Sequence, residues 1–450
     1  MRGLSADSPL FYDRIGPLLA SRILRKCHRK KPWFNRLRLR RSLGYTGCGK
    51  LKGRVVPAGQ GVRMAKRNKR ASKRRAADSV ADAVTLPSID TLRDVPAFAD
   101  LHAGCEQQTA FDAFRSELAA AGDDAADEVC LGCVVRLDRG FPLVATEEST
   151  FRAEHAVTFA KAGADGERLL PAIGDWVAVR VAPGHDMGVI ERVLPRGAAF
   201  ERWRGKNRGE RQVLAANIDV VLIVQALGAG RDSDQLVRDR IARSLILVND
   251  CGARPVIVLT KADRCSEQEL AAKVAEVQRL VGPDVRVIVT SSVREEGLDD
   301  VRACVPSGTC GMILGESGAG KSTLLNALLG HDALATGAVR ERDDMGRHTT
   351  VARVMVSLPE PCGVIADAPG LRSLPLVGHE QGLARTFPEI ISAARGCRFN
   401  DCTHTHEPGC AVREAVENGE IDEVRLDAFL ALAREMRVSA QSLDPDVKLP

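Results

Sequence analysis

The sequence contains no run of about eighteen apolar residues, so no segment of the 450-residue chain has the length and character of a membrane-crossing helix. Charges are scattered through the apolar stretches of its first residues and no clear cleavage pattern follows, which argues against a secretory leader. Nor is there a paired cysteine framework: the thirteen cysteines are odd in number and mostly dispersed, which excludes a disulfide scaffold and points to a reducing compartment. No internal repeat is evident, so the chain is not an array. A cytoplasmic protein that does not engage membranes is expected.

The chain is 44% hydrophobic, enough to bury a substantial core, and its length predicts two or three domains. Its net charge of +5 hides an asymmetry. Residues 1–75 hold 23 Lys and Arg against Asp7 and Asp13, a balance of +21, which leaves −16 for the remainder. A basic arm on an acidic body suggests a polyanionic partner, bound through phosphates with release of counterions. The bland alternative is a solubilising tail. Met64, which opens AKRNKRASKRR, would itself make a sensible start, leaving residues 1–63 untranslated.

The expected organisation is a basic arm over 1–75 and an Ala- and Asp-rich linker over 76–127, with one short helix near Glu106 to Ala121. A small antiparallel barrel follows over 128–200. Its segments CVVRLD, FPLVATE, AVTFAKA, DWVAVRVA and MGVIERVL alternate with period two and are broken by Gly and Pro. Over 210–378 the texture becomes strand–helix–strand, which predicts a mostly parallel sheet with helices on both faces. Ser266 and Glu269 form a capping box that opens one of those helices. A Cys/His-rich segment and an amphipathic helix over 421–436 complete 379–450.

Three motifs stand in an unusual order. TKAD (Thr260 to Asp263) precedes GESGAGKS (Gly315 to Ser322), which precedes DAPG (Asp367 to Gly370). In an ordinary small GTPase the phosphate loop and the metal aspartate come before the base-reading box. A box that leads is the mark of a circular permutation. Such a rearrangement leaves the pocket intact but changes what the segment after the metal aspartate is attached to.

GESGAGKS lies between a predicted strand, TCGMIL, and a predicted helix, KSTLLNALLG. Gly315, Gly318 and Gly320 let backbone amides turn inward around phosphate. The expected nucleotide contacts run through Gly315, Glu316, Ser317, Gly318, Ala319, Gly320, Lys321, Ser322 and Thr323. Lys321 reaches the β- and γ-phosphates and Ser322 ligates Mg²⁺. TKAD selects guanine over adenine, because Asp263 accepts from both guanine N1 and the exocyclic amine, a donor pair adenine lacks. Lys261 packs along the base and ties down the phosphate loop. Thr260 stands where Asn is usual, a departure expected to loosen its tie to the neighbouring loops. Thr290-Ser291-Ser292 follows at the next strand end, where Ser291 and Ser292 meet the guanine carbonyl.

Asp367 and Gly370 match D-x-x-G, aspartate toward the metal shell and glycine amide toward the γ-phosphate. Leu371 replaces the water-orienting Gln found in many GTPases, so help for hydrolysis comes from elsewhere. The candidates are in RHTT: Thr349 or Thr350 to complete the Mg²⁺ shell, and His348 to orient or deprotonate water. The alternative for His348 is a structural loop contact. Slow intrinsic turnover is expected.

Cys397, Cys402 and Cys410 with His404 offer three thiolates and an imidazole, a closed tetrahedral set suited to one structural Zn²⁺ per chain. His406 is an alternative nitrogen ligand. With every position filled by protein, such a site folds a small element and catalyses nothing. Cys130 and Cys133, alone in a predicted strand, read as ordinary core thiols.

A small barrel, then TKAD, TSS, GESGAGKST, RHTT, DAPG and CRFNDCTHTHEPGC in that order, resembles the circularly permuted GTPases of the RsgA (YjeQ) family, over about 130–440. The resemblance implies an α/β fold: an N-terminal OB-fold barrel, a permuted P-loop GTPase core and a C-terminal zinc-binding helical domain. It implies GTP hydrolysis late in maturation of the small ribosomal subunit, stimulated by that particle, with rRNA as partner and the chain itself a monomer. It also implies zinc on Cys397, Cys402, His404 and Cys410, switch threonines at Thr349 and Thr350, and catalysis by His348. Val351 departs from the pattern, since a third threonine is usual there, and the long basic arm exceeds the family's short one. Two rival functions fit parts of the sequence. An ATP-dependent P-loop enzyme is opposed by TKAD, while a non-catalytic nucleotide-binding RNA module draws support from Leu371.

Overall fold

The computed structural model describes residues 92–122, 126–138, 141–156, 170–181, 187–204, 210–227, 234–333, 353–367, 376 and 378–443. The basic arm over 1–75, the switch residues His348, Thr349 and Thr350, and Gly370 lie outside the described residues.

Five strands close a barrel: β1 (Val129–Asp138), β2 (Phe141–Thr146), β3 (Thr150–His155), β4 (Trp176–Arg180) and β5 (Met187–Val193). The pairing runs β1-β2-β3-β5-β4 and back to β1, with β3 and β5 parallel and the rest antiparallel. This is the OB-fold arrangement. Inward-facing Val134, Val144, Ala153, Val177, Val179 and Ile190 fill it. The third strand lies upstream of the expected AVTFAKA, most of which falls outside the described residues. Charge hides β3 in the sequence: Arg152 is buried in mid-strand but pairs with Asp138 of β1 at 3.1 Å, so the buried guanidinium is compensated.

The stretch read as a linker carries helix α1 (Cys105–Ala120), which is docked on the barrel. Phe111 and Phe114 bury against Val129, Cys133, Trp176 and Leu194. Phe98 meets Trp176 edge to face at 5.7 Å. A hairpin, β6 (Ala199–Arg204) and β7 (Glu210–Ala216), leads out of the barrel.

Six further strands make the core sheet: β8 (Val220–Ala226), β9 (Arg254–Thr260), β10 (Arg286–Val289), β11 (Cys310–Leu314), β12 (Arg353–Ser357) and β13 (Val364–Asp367). Their order is β10-β9-β8-β11-β13-β12; all neighbours are parallel except β12, which runs against β13. The near-continuous apolar run of β8 is that of a strand covered on both faces. Val221 and Ile223 face α2 (Asp234–Cys251) and α3 (Glu267–Val281), while Val220, Leu222 and Val224 face α4 (Leu298–Arg302) and α5 (Lys321–Leu329). The capping box at Ser266 and Glu269 forms as read and opens α3. β12 also pairs with β1 of the barrel, Arg136 opposite Val354 and Leu137 opposite Arg353, so barrel and core share one sheet.

Beyond the core come α6 (Glu380–Thr386), α7 (Pro388–Ala393), α8 (Ala411–Glu417) and α9 (Glu423–Leu443). Phe387, Ile390, Val412, Leu426, Phe429 and Leu432 extend the core that covers the α2 face of the sheet. α6 crosses α2 closely at Gly382, where a Cβ would lie 2.2 Å from the Ile246 carbonyl oxygen. Among the described residues no helix is long and apolar enough to cross a membrane.

Candidate active site and metal centre

The parallel strands β8, β9, β10, β11 and β13 all end on one edge, and the expected nucleotide residues gather there, as ligands do in open α/β sheets. The phosphate loop leaves β11 at Gly315. A Cβ there would lie 2.4 Å from the Val224 carbonyl oxygen of β8, so only glycine lets the loop pass its neighbour. The loop ends at Gly320, left-handed at φ 92° and the N-cap of α5. The helix therefore starts at Lys321 with its first-turn N–H groups available to an anion. Ser322 and Thr323 occupy that first turn.

The loop's carbonyls are held from within. Lys321 Nζ donates to Gly315 O at 2.6 Å and Glu316 O at 2.7 Å. Lys261 Nζ donates to Gly318 O at 2.6 Å. The Thr260 hydroxyl donates to Ala319 O at 2.7 Å, so threonine at this place does tie the base-reading box to the phosphate loop. Two consecutive residues at the end of β9 thereby fix two consecutive peptides of the loop.

Asp263 follows in a short 3-10 turn after Lys261, whose left-handed backbone (φ 62°) turns the chain out of the strand. Its carboxylate accepts from Ser291 Oγ at 2.8 Å, and Ser291 Oγ in turn accepts from the Arg294 N–H at 3.2 Å. The Ser291 hydroxyl foremost, with the nearby Arg264 and Arg294 charges adding to it, holds the Asp263 carboxyl below the usual range. It is therefore an ionised acceptor at neutral pH. The backbone joins the same strands: Thr290 N donates to Leu259 O at 2.7 Å and Ala262 N to Thr290 O at 3.2 Å. Ser292 follows Ser291 on this turn, half-buried. Asp367 closes β13 and is buried, and its register partner Ile313 lies just before Gly315. The residues expected to read the base, cradle the phosphates and approach the metal thus converge on one edge.

The second site lies between α7 and α8. Ligand atoms of Cys397, Cys402, His404 and Cys410 lie within 4.8 Å of one another. Cys397 Sγ is 3.9 Å from Cys410 Sγ, and His404 Nδ1 is 3.6 and 3.5 Å from those two sulfurs. Tetrahedral bonds of about 2.3 Å to sulfur and about 2.0 Å to nitrogen imply S···S of ~3.8 Å and S···N of ~3.5 Å. The donor set therefore fits zinc in chemistry and in size. His404, not His406, belongs to it; His406 is exposed and its Nδ1 meets the Thr405 hydroxyl at 2.9 Å.

Sequence reasoning gave Glu407 no role, yet it shapes the metal loop. Its carboxylate accepts from Thr403 N at 2.8 Å, Thr405 N at 3.1 Å, His406 N at 3.2 Å and the Thr403 hydroxyl. These bonds, the Thr403 hydroxyl foremost, drive its pKa well down. Arg425 was likewise missed: it pairs with Glu389 at 2.6 Å, donates to Leu280 O and Thr386 O at 2.7 Å each, and lies over the Phe387 ring at 5.0 Å. One guanidinium so joins α9 to α3, α6 and α7. A surface helix arginine looks solvated in a sequence, and no local signal marks these partners.

A family model described as "RsgA GTPase" matches residues 193–377. The chain is 42% identical over 304 residues to the small ribosomal subunit biogenesis GTPase RsgA of Streptomyces avermitilis, spanning 68% of this chain and 79% of that protein. It is 43% identical over 266 residues to the small ribosomal subunit biogenesis GTPase RsgA 2 of Lactiplantibacillus plantarum, 59% of this chain and 72% of that one. The crystal structure of YjeQ from Thermotoga maritima is similar at a TM-score of 0.51 and 26% identity, covering 68% of this chain and 98% of that chain. With the permuted motif order and the OB-fold barrel ahead of it, these likenesses establish that the chain belongs to the RsgA family of circularly permuted, GTP-hydrolysing enzymes.

Proposed function

We propose that this GTPase binds the small ribosomal subunit through its rRNA and acts late in that subunit's maturation, hydrolysing GTP to GDP and phosphate under stimulation by the particle. The observation that carries the reading is the coupled geometry of the base box: Asp263 fixed by Ser291, with Thr260 and Lys261 fastened to the phosphate loop. That arrangement makes guanine recognition and phosphate binding one unit. The particle comes from the relatives, which are small ribosomal subunit biogenesis GTPases.

In this reading the amides from Gly315 to Gly320 with Lys321, Ser322 and Thr323 hold the phosphates, and Asp263, Lys261, Ser291 and Ser292 hold the base. Mg²⁺ accompanies GTP, with Ser322, Asp367 and Thr349 or Thr350 as its protein partners. His348 orients the attacking water in place of the absent Gln, and the Gly370 amide meets the γ-phosphate. One Zn²⁺ on Cys397, Cys402, His404 and Cys410 supplies fold rather than chemistry. The protein works as a cytoplasmic monomer. Because the permutation joins the segment after DAPG to the metal-bearing domain, loss of γ-phosphate loosens that segment and shifts the domain on RNA.

Steady-state hydrolysis of GTP and ATP, with and without small subunits, tests the proposal. GTP-selective turnover that rises steeply only with small subunits is the expected result. A flat, slow rate under every condition would contradict it and favour a nucleotide-binding RNA module.

A further inference from the structure

The phosphate loop carries a carboxylate of its own. Glu316 is the single acidic residue of GESGAGKS, in a loop whose backbone is turned toward a polyanion. An uncompensated carboxylate there repels bound phosphates, because at physiological ionic strength charges within about 8 Å remain poorly screened. Arg240 of α2 answers it, its guanidinium nitrogen 2.9 Å from the Glu316 carboxylate. The arginine is not free to wander. Its neighbours Ile241, Ala242 and Leu245 are buried in the core beneath the sheet, so the helix delivers Arg240 from a fixed base. The pair also touches the phosphate-binding lysine indirectly, since the Glu316 carbonyl is one of the two acceptors of Lys321 Nζ.

We propose that Arg240 is a positioning residue of the nucleotide site: by pairing with Glu316 it cancels the one carboxylate built into the phosphate loop and steadies the peptide that anchors Lys321. Arg243, one turn along α2 on the same face, pairs with Glu435 of α9 and provides an internal control. It belongs to the same helix and makes the same kind of ion pair, but on the C-terminal helix and not on the loop.

Nucleotide affinity measured by titration with fluorescent GDP and a non-hydrolysable GTP analogue decides the matter. Arg240→Ala is expected to weaken the GTP analogue about fivefold and GDP less, since the extra phosphate adds charge, with the loss shrinking at high salt. Glu316→Gln placed on Arg240→Ala is expected to restore affinity to within about twofold, the signature of a coupled pair. Arg240→Lys, which keeps the charge, should retain most of the binding, and Arg243→Ala should leave affinity within about twofold of the parent. Thermal melts establish that each variant is folded. The proposal is overturned if Arg240→Ala binds like the parent, if the double variant stays as weak as Arg240→Ala, or if Arg243→Ala loses as much.

Discussion

The phosphate loop and the cysteine loop are each shaped to receive something charged, and they are held in opposite ways. In the phosphate loop the protein holds the frame itself: Lys321, Lys261 and Thr260 donate to four of its carbonyls. In the cysteine loop the backbone is partly fixed by Glu407, but four ligand atoms converge within 4.8 Å with little between them except one another. Burial, with the neighbouring thiols, pushes the Cys402 thiol up to about 12. Such crowding of would-be thiolates becomes favourable when a cation is shared among them. On the proposed reading nucleotide is thus an exchangeable guest of a prebuilt site, whereas a metal at the cysteine loop would be a constituent of the fold.

The difference predicts a ranking. Metal removal has the largest effect, because apparent free energies of structural zinc run to about 10 kcal/mol or more near neutral pH. Cys402→Ser, or chelation, is expected to lower the thermal midpoint by roughly 10 °C or more, with recovery on re-adding zinc to the chelated parent. An unchanged melt would remove the metal from the fold. Next, Lys321→Ala is expected to slow particle-stimulated GTP hydrolysis by about 100-fold or more while leaving the melt near that of the parent, since it removes a charge that acts on the transferring phosphoryl group. Asp263→Ala should follow. It deletes two charge-assisted hydrogen bonds to guanine and is expected to weaken GTP on the order of 100-fold with ATP affinity unmoved. A proportional loss for both nucleotides would break the assignment of Asp263 to the base.

Thr260→Val is the smallest and sharpens the comparison most. It removes the bond to Ala319 O and leaves a buried carbonyl short of a partner, a loss of about 1 kcal/mol and so about fivefold in GTP affinity. No change would mean that the frame around the phosphate loop does not depend on the base box.

Much of this was legible in the sequence because the signals are local. The strand–loop–helix around Gly315 to Ser322, the capping box at Ser266 and Glu269, and the four metal ligands each depend on spacing within a short stretch. His404 against His406 was not decided by spacing, since either nitrogen lies within reach, and the left-handed backbone at His404 (φ 60°) accompanies the ring that turns inward. What escaped was long-range compensation. Arg152 made β3 look unlike a strand because its partner Asp138 is in another strand. The helix expected near Glu106 to Ala121 forms over Cys105–Ala120, but its docking escaped because its two anchoring phenylalanines are sparse and the barrel surface that receives them is far along the chain. Thr260 looked like a weakening, because the sequence cannot show that a hydroxyl reaches Ala319 O. The pairing of β12 with β1 joins residues more than two hundred apart in sequence, with no local sign of it.

Amide hydrogen exchange on one preparation, stripped in turn of nucleotide and of metal, tests the contrast most directly. Nucleotide-free protein is expected to keep the amides of the base-box and strand frame beside the phosphate loop, those of Ala262 and Thr290, protected through their bonds to Thr290 O and Leu259 O. Metal-free protein is expected to lose protection from 397 to 410 and into the start of α8. Equal loss at both sites on removal of their ligands, or retention of the cysteine loop without metal, would contradict that contrast.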